Sequence, residues 1–195
     1  VTGPVEIPLF PLGTLVFPGG ALPLRIFEAR YVDLVRRCMR EDSGFGVVMI
    51  REGVEAGGPA VTFDVGTYVR IVDFSQQPDG LLGIEARGER RFRIVDRRRA
   101  RDGLNLADVE WLPEETAVQL PAEYSDLGPA IDAALTQLGE PYASLPRHPE
   151  DASWVSGRLA EVLALPPGHK QHVLELDDPI ERLHFLRPLF EIDER

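Results

Sequence analysis

The chain holds one cysteine, Cys38, in 195 residues. It therefore closes no internal disulfide, which fits a reducing compartment. No apolar run approaches the roughly 20 residues that cross a bilayer. The N-terminus shows no basic stretch followed by an apolar core, the mark of a secretory signal. These absences lead us to expect a cytoplasmic protein with no membrane partner. The pattern G-x-x-x-x-G-K-[ST] does not occur, so no phosphate loop offers an ATP site, and H-E-x-x-H and G-x-S-x-G are missing too. Internal repeats and low-complexity tracts are absent. What remains is ordinary: 44% hydrophobic and 27% charged residues, enough for a real core in one large domain or two small ones.

The formal charge is −11, which opposes non-specific binding to nucleic acid or anionic membranes. It is unevenly spread. Residues 87 to 101 contain eight arginines against Glu89 and Asp96, a net +6, which leaves the remainder at −17. One basic stretch in an acidic protein is a local feature that needs a cause.

The stretch from Ile7 to Met39 organises the first half. Pro11, Gly13, Pro18, Gly19, Gly20 and Pro23 cut it into apolar runs too short for helices, which read as strands. From Glu28 the period changes, and Tyr31, Leu34, Val35, Cys38 and Met39 recur at helical spacing. Glu28 near the start and Arg36, Arg37 and Arg40 near the end follow the order that a helix dipole favours. A strand corner feeding a buried helix looks like the plug of a small barrel. Phe45 to Ile50 reads as a buried strand and Glu52 to Pro59 as an exposed loop. Val61 to Phe74 is strand-like, interrupted at Gly66. Gln77-Pro78-Asp79-Gly80 is a turn that should join Tyr68–Phe74 to Leu81–Arg87 as a hairpin. Arg90 to Arg101 and Asn105 to Leu112 form the next two strands around Asp102-Gly103. Composition shifts at Pro113, after which helical periods take over. Ala122 to Leu138 is a helix, and Asp151 or Ser153 caps another whose stripe is Val155, Leu159, Val162 and Leu163. A short helix spans Lys170 to Glu175, and Asp178-Pro179 opens a last one in which Pro188 forms a kink or an end. The expected architecture is α+β by segregation: a β-rich domain over 1–113 and an α-helical one over 114–195.

Three blocks of words in this order resemble the Lon protease N-terminal (substrate-binding) domain family. The first runs from Ile7-Pro-Leu-Phe-Pro-Leu through Phe17-Pro-Gly and Leu22-Pro-Leu to Ile26-Phe-Glu-Ala-Arg-Tyr31, with Ala29 where proline is common. The second joins Gly66-Thr67, Arg70-Ile71-Val72 and Asp79-Gly80 to Arg87-Gly88-Glu89-Arg90-Arg91-Phe92-Arg93-Ile94. The third is Lys170-Gln171, Val173-Leu174-Glu175, Asp178 and Glu181-Arg182-Leu183. The resemblance implies a PUA-like, six-stranded pseudo-β-barrel with one packed helix, followed by a C-terminal helical subdomain. It also implies a part in recognising unfolded or tagged polypeptides beside a protease. The ATPase and Ser-Lys peptidase of full-length Lon lie outside these words, so the expectation is a stand-alone Lon-domain protein.

Candidate chemistry is sparse. Cys38 lies on the apolar helix stripe, where a core role outweighs nucleophilic catalysis. His169, His172 and Glu175 are spaced i, i+3, i+6 on a short helix, and a surface role outweighs a metal site. Ser43, in Asp-Ser-Gly-Phe-Gly, reads as a turn. Glu114-Glu115 and Asp177-Asp178 read as solvated linker or cap carboxylates. We expect no enzyme, no catalytic residue, no metal and no cofactor. Two surfaces remain. Phe10, Leu12, Leu15, Val16, Phe17, Leu22 and Leu24 exceed what one edge of a small barrel obviously buries, and core packing competes with a groove for an extended apolar peptide, read by main-chain pairing at a strand edge. Arg87, Arg91, Arg93, Arg97, Arg99 and Arg101 share one parity and Phe92 and Ile94 the other, so an unbulged strand would carry a cationic stripe for an anionic partner. A solvated, paired outer face competes with that reading. The first reading is a non-enzymatic polypeptide-binding or adaptor module. Its alternative is a PUA-like RNA-binding protein using Arg87 to Arg101, although aromatics for base stacking are nearly absent there. A homodimer stays open.

Overall fold

The computed structural model describes residues 3–55 and 60–193. The chain divides into two compact units, Val1–Leu112 and Pro113–Arg195.

The first unit contains seven strands and one helix: β1 (Val5–Leu12), β2 (Ala21–Ile26), α1 (Ala29–Glu41), β3 (Phe45–Gly53), β4 (Ala60–Thr62), β5 (Val65–Gln76), β6 (Leu82–Arg99) and β7 (Asn105–Trp111). Pairing runs β1-β7-β6-β5-β3, and a parallel β1–β3 pairing returns the path to its start. β4 adds to β3 and β2 adds to β6. Among the described residues the count is seven strands rather than six. The expected Val61–Phe74 run splits at Phe63-Asp64 into β4 and β5, not at Gly66, which sits within β5. Residues 56–59 of the expected loop lie outside the described residues.

The two strands expected at 81–87 and 90–101 are one 18-residue strand, β6. It is bent by two irregularities. Tyr68 pairs Arg90 while Val69 pairs Gly88, leaving Glu89 as the extra residue, and Ile94 pairs Val109 while Asp96 pairs Asp108, leaving Val95. An extra residue transfers every later side chain to the other face.

Two apolar clusters lie on opposite faces of the sheet, as the alternation Leu9/Phe10 and Val47/Val48 requires. One gathers Ile7, Leu9, Val48, Phe92, Ile94, Ala107 and Val109. The other joins Phe10, Val16, Leu22, Ile26, Phe45, Val47, Val69, Ile84 and Ala86 to Tyr31, Leu34, Val35 and Cys38 of α1. The helix thus packs on the face opposite Phe92, and does not plug the cluster around it. Each of its large apolar side chains contributes about 1.5–3 kcal/mol by burial. Met39, assigned to the stripe by spacing, is 48% exposed.

The second unit contains a 3-10 turn at Ala122–Tyr124, then α2 (Leu127–Leu138), α3 (Ala152–Val162), α4 (Pro167–Glu175) and α5 (Pro179–Asp193). Asp151 caps α3 by accepting from Ser153 N at 3.0 Å, and Asp178 accepts from Ile180 N at 2.8 Å at the head of α5. Pro188 lies inside α5 without ending it. The segment before the 3-10 turn is bound to the helices. Asp151 also accepts from Val118 N (3.0 Å), Ser153 Oγ donates to Thr116 O (2.8 Å), and buried Arg182 pairs with Glu115 at 2.6 Å. Glu115 is therefore a structural partner, not a solvated linker carboxylate. Among the described residues no helix is long and apolar enough to cross a membrane.

Candidate functional site

The seven apolar candidates divide. Leu15, Val16, Phe17 and Leu22 are core residues, each at most 7% exposed. Phe10 and Leu12 of β1 and half-buried Leu24 of β2 line a cavity of about 320 Å³. Around it stand Pro23, Arg25 and Ile26 of β2, Phe27 and Glu28 at the strand-to-helix corner, Tyr31 of α1, and Glu55. Phe27 is 62% exposed. Spacing did not single it out, because it falls between the period-2 and period-3.6 segments.

One wall is an aromatic stack. The Tyr31 ring lies 3.9 Å from Phe10 at an interplanar angle of 16°, and Phe10 meets Phe45 at 5.7 Å. The Arg30 guanidinium covers the Tyr31 ring at 4.7 Å, pairs with Glu28 at 2.9 Å and donates to Gly103 O at 2.9 Å. Glu28 and Arg30 are thus committed to each other and to the corner. Burial pushes the Tyr31 phenol up, against the opposing pull of Arg30, so this hydroxyl stays neutral. At the rim Arg25 forms an ion pair with Asp79, and Glu55 accepts from Gly13 N. The arrangement is an apolar recess whose bordering charges already have partners. It is suited to holding apolar groups.

The arginine stripe does not survive the bends in β6. Arg87 lies on the face opposite Ala86 and donates to Glu85 at 2.9 Å. Beyond Glu89 the faces exchange: Arg91, paired with Thr67, is 2% exposed. Arg93 follows it, exposed, opposite Glu110. Beyond Val95 they exchange again, and Arg97 pairs Ala107. It reaches Thr62 Oγ1, Phe63 O (3.0 Å) and Asp64 (2.6 Å). Arg99 donates to Gly103 O at 3.2 Å, and Arg101 is exposed in the following turn. Arg98, which parity left out, forms an ion pair with Glu6. The expectation of one cationic face fails, because parity holds only along an unbulged strand.

Elsewhere, Cys38 is buried with Sγ 3.5 Å from Gly44 O, and burial raises its pKa. The His169 and His172 rings both pack on Phe185, at 5.4 and 4.9 Å. Among the described residues no group of three or more His, Cys, Asp or Glu is placed to hold a metal ion.

The family model for the ATP-dependent protease La (LON) substrate-binding domain matches residues 6–189. Among curated relatives, Lon protease 2 of Myxococcus xanthus is 29% identical over 205 residues, covering 95% of this chain and 23% of that protein. The chain spans about a quarter or less of the Lon proteases it matches. A crystal structure of a Lon N-terminal domain protein from Xanthomonas campestris aligns with a TM-score of 0.76 and 38% identity, covering 94% of this chain and 98% of that one. The N-terminal domain of the Mycobacterium avium complex Lon protease, at 20% identity and a TM-score of 0.57, shares the fold over 93% of this chain and 96% of its own.

Proposed function

The chain belongs to the LON substrate-binding domain family, and from that premise we propose that it is a non-enzymatic polypeptide-recognition module which holds exposed apolar segments of unfolded or tagged proteins, as an adaptor beside a protease. One observation carries the reading. The recess of Phe10, Leu12, Leu24 and Tyr31 opens beside exposed Phe27, and of its bordering charges Arg25 and Glu28 are ion-paired while Glu55 accepts from the Gly13 amide. A recess of that kind favours apolar side chains and rejects unpaired charge. The same reading takes the strands as a PUA-like pseudo-barrel and the helical unit as its C-terminal subdomain.

Fluorescence anisotropy with labelled, reduced and carboxymethylated α-lactalbumin tests it. Micromolar binding is expected for the denatured protein and none for its native form. Leu24→Asp, at a half-buried position, should weaken binding at least about ten-fold by placing a charge in the recess. Absence of binding at high micromolar concentration overturns the proposal. Salt-sensitive retention of RNA on a filter, in its place, would shift the reading to the arginines of β6.

A further inference from the structure

We propose that the occupant of this recess binds as an added β-strand along the outer edge of β2, so that the ligand is an extended, uncharged segment with apolar residues at alternate positions. The inference rests on the polypeptide-recognition reading and specifies how recognition is done.

The first observation is which residues line the recess. Pro23, Leu24, Arg25 and Ile26 all border it. Side chains alternate along a strand, so a recess facing one sheet face touches every second residue. One that touches four in succession runs along the strand's edge. That edge is unoccupied: among the described residues β2 pairs with β6 alone.

The second observation fixes which main-chain groups face outward. Gly88 N donates to Gly20 O at 3.0 Å, just before the pairing Ala21↔Arg87. Antiparallel ladders alternate, so Leu22, Leu24 and Ile26 direct their main-chain groups to β6, while Ala21, Pro23 and Arg25 direct theirs away. Pro23 lacks an N–H, and at this position β6 loses nothing. The edge beside the recess therefore presents the Pro23 carbonyl and both main-chain groups of Arg25. These are partners for a backbone.

The third observation concerns charge and phase. Arg25 is paired with Asp79, Glu28 with Arg30, and Glu55 accepts from the Gly13 amide, so the border calls for no ligand charge. Ligand residues opposite Pro23 and Arg25 would exchange hydrogen bonds, and their neighbours would place side chains on the face of Leu24 and Ile26, against Phe10 and Tyr31. Backbone pairing and apolar insertion thus fall on alternate ligand residues. Pro23 withholds one donor from the edge, which also discourages pairing between copies of β2.

The test uses the intact chain and a fluorescein-labelled dodecapeptide of alternating leucine and serine with terminal lysines. In strand addition the serines pair and the leucines insert. N-methylation of every serine amide should weaken binding at least about ten-fold, through loss of main-chain bonds. N-methylation of every leucine amide should cost less than about three-fold, since those amides point to solvent. Pro23→Val, which restores an N–H, should tighten binding about three- to five-fold. Equal losses from the two methylated peptides, or no tightening by folded Pro23→Val together with equal losses, overturn strand addition and leave the recognition module intact. If neither the unmethylated peptide nor carboxymethylated α-lactalbumin binds, both readings fall.

Discussion

The buried cations show most sharply what a single residue does here. Arg182 is fully buried and divides its guanidinium between Glu115, at 2.6 Å, and the Leu176 carbonyl, at 2.9 Å. Removing one member of a buried pair leaves the other charge without compensation, which costs about 3–5 kcal/mol. Arg182→Met should lower the stability of the second unit by that amount in urea denaturation. A loss under 1 kcal/mol would mean that Glu115 is well served by solvent. Cys38 supplies a pH dependence of predictable sign. Burial raises its pKa, as it does for Tyr31 and Tyr68. The folded state then holds these protons more tightly than the unfolded state. Their contribution is complete below the unfolded thiol value of about 8.5 and is lost as pH rises through the folded values. Urea midpoints should fall between pH 8 and pH 10.5, and less steeply in Cys38→Ala. A midpoint that rises over this range would contradict the assignment.

Within elements, legibility followed the range of the forces. The turn at Gln77-Pro78-Asp79-Gly80, the caps at Asp151 and Asp178 and, Met39 apart, the stripe of α1 are set by groups a few residues apart, and each appears where the local chemistry placed it. The bends at Glu89 and Val95 depend on what β5 and β7 offer from across the sheet, so the parity of the arginines carried no trace of them. The recess was half visible for the same reason: apolar content picked out Phe10, Leu12 and Leu24, but only strand pairing shows that, among the described residues, β2 pairs on one edge alone. Gly88 illustrates a word in the sequence whose meaning is tertiary. Its N and O bond Gly20 O and Gly19 N, and an added Cβ would lie 2.2 Å from the Phe17 carbonyl oxygen. The corner Phe17-Pro18-Gly19-Gly20 crosses β6 there, immediately before β2. Gly88→Ala should cost about 1–3 kcal/mol through forced backbone movement. Because the corner sets the start of β2, it should also weaken binding of the leucine-serine peptide. Unchanged thermal stability would show that the corner shifts freely.

At the scale of the molecule, the family match spans residues 6–189 and so takes in both compact units. The composition change at Pro113 lies beside the division between them, yet composition alone does not assign the segment 115–120. Its bonds do. Thr116 O, Val118 N and Leu120 N are held by Ser153, Asp151 and Glu150, and Glu115 answers the charge of Arg182. This segment is a structural part of the helical unit, although it is neither helix nor strand. A fragment over 113–195 should accordingly show one cooperative urea transition by circular dichroism. A fragment over 121–195 retains α2 to α5 but removes Glu115, the carboxylate paired with the buried Arg182 guanidinium, at a cost of several kcal/mol. Such a cost is comparable to the whole stability of a small domain, so the shorter fragment should unfold without cooperativity or at far lower denaturant. Restoring the segment as the separate peptide 113–120 at millimolar concentration should recover part of the transition, and the same peptide carrying Glu115→Gln should recover less. Equal stability of the two fragments would reduce 115–120 to a tether.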